Sequence, residues 1–64
     1  MNKENWVDVI EYLGIRIVTK KQEIEYYKNN PGYTNDEKKK LINERLHYIK
    51  SLEAEIFYIT FFIK

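Results

Sequence analysis

Two apolar stripes run along this chain at helical spacing, one in each half. In the first, Trp6, Ile10, Leu13, Ile17, Ile24 and Tyr27 recur at three- and four-residue steps, with only Lys20 interrupting them. In the second, Ile42, Ile49, Leu52, Ile56, Ile59 and Ile63 do the same around Arg45. Steps of three and four keep successive side chains on one helical face, which is the pattern of helices packed on each other. Between the stripes lies Asn29-Asn30-Pro31-Gly32. Pro31 disfavours helical geometry in the residue before it, and Gly32 supplies a permissive turn position. Asn5 is placed to cap the first helix, with Asp8 in its first turn; Thr34-Asn35-Asp36-Glu37 has the capping-box spacing that opens the second. The pattern predicts an all-α chain with helices at about 5–29 and 35–63, roughly 37 and 43 Å long at 1.5 Å per residue.

So short a connection between long helices predicts an antiparallel two-helix hairpin, with residues 1–64 forming a single domain. Folding about Pro31-Gly32 pairs residues whose numbers sum to about 65. Ile24 then meets Ile42, Ile17 meets Ile49, Leu13 meets Leu52, Ile10 meets Ile56, and Trp6 meets Ile59. The two interruptions coincide, because Lys20 falls level with Arg45. Either their long stems pack while their charges reach water, or they form a polar layer that fixes register, with Glu23 or Glu44 as counter-ion.

One stripe per helix does not absorb all the apolar residues. Trp6, Val7, Val9, Tyr12, Ile15 and Val18 crowd the first helix, and Phe57, Tyr58, Phe61 and Phe62 the second. All but Trp6 lie off the stripes, and the hairpin gathers both groups at its open end. Each fully buried aliphatic or aromatic side chain is worth about 1.5–3 kcal/mol, so leaving the surplus in water forgoes more than a small domain's net stability. The economical cover is a second copy, giving a homodimeric four-helix bundle joined at the greasy ends. Gly14, in the same zone, would let a neighbouring backbone approach closely. The rival cover is a different protein or a membrane surface, and the membrane is the weaker because Glu4, Asp8, Glu11, Glu53 and Glu55 would be repelled by anionic lipid.

Length and composition sharpen this expectation. A chain of 64 residues with no Cys has a marginal core and no disulfide or thiolate metal site to staple it. The mostly apolar stretch 56–63 is far shorter than the roughly 20 residues that span a bilayer, and the charged N-terminus does not resemble a signal peptide, so a cytoplasmic protein is expected. Abundant Ile, Lys, Asn, Tyr and Glu suit an AT-rich genome such as a phage's or a bacterium's.

Eleven basic and ten acidic side chains leave a net charge of +1, which is not the imbalance of a dedicated nucleic-acid binder. The turn half nevertheless carries Lys20, Lys21, Lys38, Lys39, Lys40 and Arg45, with Tyr26 and Tyr33 as aromatics able to engage a partner. Glu23, Glu25, Asp36, Glu37 and Glu44 offset these charges.

Glu44-Arg45-Leu46-His47 has the Glu-x-x-His spacing of di-metal bundles, but both side chains fall off the core stripe and Lys20 and Lys21 sit opposite, so no metal or cofactor is expected. With one His, no Cys and no Gly-rich phosphate loop, no nucleophile–base–orienter set is visible, and no enzyme is expected. The sequence therefore points to a small non-enzymatic regulator or inhibitor that dimerises and binds another protein. The alternative is a dimeric nucleic-acid-binding or co-repressor protein using the lysine-rich turn half.

Overall fold

Backbone sterics and two short-range capping devices set the helix boundaries. A computed structural model describes residues 3–62, with side chains from residue 5. Helix α1 spans Lys3–Asn29 and helix α2 spans Asn35–Phe62. The expected helices are present; Ile63 lies outside the described residues. One detail differs: α1 starts at Lys3, so Asn5 lies within its first turn rather than at the cap. Lys and Glu are good helix formers, and an acid near the N-terminus suits the helix dipole, so the chain enters helix before Asn5.

The connection is held by side chain–backbone bonds. The Gly32 amide donates to Asn30 Oδ1 at 2.8 Å, closing an Asx turn around Pro31. Gly32 does not adopt a left-handed conformation, contrary to the usual reason for a turn glycine. Its contribution is space, since a Cβ there would stand 3.1 Å from Asn30 Oδ1. The capping box then starts α2: the Glu37 amide donates to Thr34 Oγ1 at 3.1 Å, and the Thr34 amide to Glu37 Oε1 at 2.9 Å. Lys38 reaches back to the Lys28 carbonyl at 3.4 Å, placing a cation on the C-terminal end of α1.

The two helices pack as a hairpin in a rod of 47 × 14 × 13 Å. Its antiparallel register is visible in three cross-helix pairs: Lys28 with Lys38, Glu23 with Arg45, and Arg16 with Tyr48. Every described position of the two stripes, including Lys20 and Arg45, is buried or half-buried. Among the described residues, only Leu13, Ile49 and Leu52 fall to 5–6% exposure. That is a thin core. The radius of gyration is 14.9 Å, against about 10.7 Å for a globular domain of this length. The surface of 5235 Å² likewise exceeds the roughly 4,400 Å² that size scaling gives a compact 7.9 kDa monomer.

Candidate interaction surfaces

Polar and aromatic side chains knit the middle of the rod where the stripes break. Glu23 accepts from Lys20 Nζ at 3.2 Å and from Arg45 Nε at 3.2 Å, bridging the two helices. Arg45 spends its remaining donors on Glu44 Oε2 and the Leu41 carbonyl, each at 3.4 Å, and on the Tyr27 hydroxyl at 3.3 Å. Its guanidinium lies 4.9 Å from the Tyr27 ring centre, and Tyr27 meets Tyr33 edge-on at 5.3 Å across the turn. Both counter-ions expected from the sequence, Glu23 and Glu44, touch Arg45. The Lys20 and Arg45 side chains are only 26% and 21% exposed, so the charges sit in a polar layer rather than snorkelling fully to water. The hydrogen bond from Lys20, followed by that from Arg45, holds the Glu23 carboxyl below its usual range against a partial opposing effect of burial.

A second cluster lies one to two turns closer to the open end. Arg16 donates to the Tyr12 hydroxyl at 3.0 Å and to the Tyr48 hydroxyl, and its guanidinium lies 5.7 and 5.3 Å from those two ring centres. Lys20 Nζ approaches the same Tyr48 ring at 5.1 Å. The hydrogen bond to Tyr12 is the main influence raising Arg16 above its ordinary pKa. Arg16 lies outside the residues that the sequence pattern marks. Its signal was available: Tyr12 is four residues earlier on the same face, and Tyr48 sits at the matching level of α2.

The open end is apolar and uncovered. Of the ten residues expected at a dimer interface, Val7, Tyr12, Ile15, Val18, Phe57, Tyr58, Phe61 and Phe62 are exposed, while Trp6 and Val9 are half-buried. Ile15 is 65% exposed, Phe57 66%, Phe61 67% and Phe62 79%, so large apolar side chains stand together in solvent at this end. Tyr12 is partly committed to Arg16. An open groove on α1 is lined by Glu11, Gly14, Ile15, Val18, Thr19 and Gln22. Outside its own stretch of helix, no atom lies within 4 Å of a Cβ built on Gly14, so α2 is not the close neighbour that this glycine admits.

The residues expected to face a partner divide. Lys21, Tyr26, Lys39 and Lys40 are exposed, whereas Lys20, Tyr33, Lys38 and Arg45 are half-buried and engaged within the hairpin. Glu44 turns to Arg45 and His47 is exposed; among the described residues no group of three or more His, Asp or Glu is arranged to hold a metal. No described helix is long and apolar enough to cross a membrane. Comparison with protein families, with curated proteins and with solved structures finds no match to this chain.

Proposed function

We propose that this chain is a small non-enzymatic regulator or inhibitor that works as a homodimer and acts by binding another protein. The observation that carries this reading is the contrast between a core of three well-buried side chains among the described residues and a broad exposed apolar surface at the open end. A two-helix hairpin cannot bury a second face by itself, and small domains without disulfides or metals gain that burial by association. A second copy supplies an identical apolar surface, so two hairpins make a four-helix bundle. The exposed Tyr26 and Lys40 on the turn half then remain for the protein partner.

Direct nucleic-acid binding is less well supported, because Lys20 and Arg45 spend their charge on Glu23 and on aromatic rings. Solution mass across a dilution series from high to low micromolar tests the central claim. A mass near twice 7.9 kDa that dissociates on dilution supports it, and a folded monomer throughout rejects it. Titration with duplex DNA and with RNA at low salt tests the rival, whose affinity would fall steeply as salt is raised.

A further inference from the structure

Resting on the homodimer reading, we infer that the second copy packs side by side along the full rod, with the two-fold axis parallel to the helices and Gly14 at the seam. Successive helical residues step by about 100°. Val7, Gly14 and Val18 on α1 therefore fall on the same broad side of the hairpin as Leu46, Phe57 and Phe61 on α2. Arg16 and Tyr48, which touch each other, mark the opposite side.

The five apolar side chains of the first face are 44–67% exposed. Together they offer roughly 400 Å² of apolar surface, taking ordinary side-chain areas. In an interface a little over half apolar, that corresponds to a footprint of about 700 Å² per copy, close to the roughly 800 Å² per partner of a standard stable complex. A lateral face of 47 by 14 Å (about 660 Å²) supplies this area, whereas overlap of the apolar ends alone supplies about half.

A two-fold axis along the rod sets α1 against α2 of the second copy, antiparallel, in the register already used within each hairpin. Val7 then meets Phe57 of the second copy, and Val18 meets Leu46. Gly14 lies opposite Lys50, whose stem crosses the space left by the missing Cβ. That places the ammonium between Glu11 of one chain and Glu53 of the other, a base bridging two acids. Nothing packed on it within the protomer requires glycine there: outside its own stretch of helix no atom lies within 4 Å of its would-be Cβ, and its backbone is ordinary helix. A mid-helix glycine lowers helix propensity, so its service is to a neighbour outside the hairpin.

Because the chain has no Cys, engineered pairs report the arrangement directly. The double variant Val18→Cys/Leu46→Cys, mildly oxidised, is expected to run as a disulfide-linked dimer without reductant, while neither single variant does. Gly14→Leu is expected to keep its helical circular dichroism and raise the dimer dissociation constant more than tenfold. A wild type that is dimeric by mass, but whose Cys pair stays unlinked while Phe61→Cys alone links, overturns the lateral arrangement in favour of end-on contact. Gly14→Leu with unchanged dimer affinity removes the seam at Gly14. A monomeric wild type overturns the homodimer reading itself.

Discussion

Glu23 on α1 joins Arg45 on α2 through one carboxylate oxygen at 3.2 Å, while its other oxygen receives Lys20 at the same distance. One acid thus serves two cations from the two helices at the level where both apolar stripes break. Glu23→Gln keeps the shape and removes the charge, leaving two half-buried cations without their shared counter-ion. A loss of about 1 kcal/mol is expected, since the trio is partly solvent-screened. For so small a domain this lowers the melting temperature by about 5 °C. An unchanged melting temperature, at matched protein concentration, would show that the bridge is energetically idle.

Acid should weaken the fold through the same group. The Glu23 carboxyl, hydrogen-bonded chiefly by Lys20, and the Glu37 carboxyl, bonded by the Thr34 amide and hydroxyl, both sit below their ordinary value of 4.5 in the folded chain. A carboxyl depressed on folding contributes stability that is present above the unfolded pKa and disappears as pH falls through the folded one. The urea midpoint should therefore hold from pH 7 to about 5 and decline below 4.5. In a Glu23→Gln/Glu37→Gln variant the decline should be shallower. Equal slopes in the two proteins would assign the acid sensitivity to other groups.

Thr34→Ala removes the hydroxyl that receives the Glu37 amide at 3.1 Å. The expected cost is about 1 kcal/mol, typical of a lost N-cap, with the oligomeric state unaffected because the cap lies at the opposite end from the apolar surface. Thr34→Ser should recover most of it. Failure of Ser to rescue would mean that the Thr methyl, rather than the cap, carries the effect.

Leu52→Ala takes one of the three well-buried core side chains among the described residues. Such truncations cost about 2–5 kcal/mol, comparable with the whole stability of a domain this size. Far-ultraviolet circular dichroism should show a largely unfolded chain at low micromolar concentration. Retained helicity would imply that interchain packing dominates the fold.

Phe61→Glu places a charge where a 67%-exposed ring now stands. If the chain dimerises as proposed, the substitution should leave the hairpin register unchanged and shift the solution mass from dimer to monomer. A variant that stays dimeric would locate the interface elsewhere.

Much of the hairpin was legible because it depends on local, periodic signals. The stripes, Pro31, and the Thr34–Glu37 box each act within a few residues, and the coincidence of Lys20 with Arg45 fixed the register. Asn5 was misplaced because helix starts are weakly determined when several residues tolerate helix. Gly32 does lie in the turn, but the way it serves there, as room for an Asx bond rather than a left-handed residue, has no sequence signature. Arg16 escaped notice because a cation held by two phenols has no carboxylate partner to advertise it. Exposure at the open end followed from counting faces, but the occupant of that face depends on a second molecule, which one chain's pattern encodes only through complementarity.

The short connection also dictates an order of assembly. Contact between Lys28 and Lys38 closes a separation of 10 residues, whereas Arg16 with Tyr48 closes 32. Loop-closure entropy makes the longer closure about 1 kcal/mol dearer when it forms first. Loop closure therefore favours pairing that starts beside the Asx turn and runs toward the apolar end, each new contact inheriting a shortened loop. The surface most in need of cover is thus the last to form, and it would meet another chain as the end of an already registered hairpin.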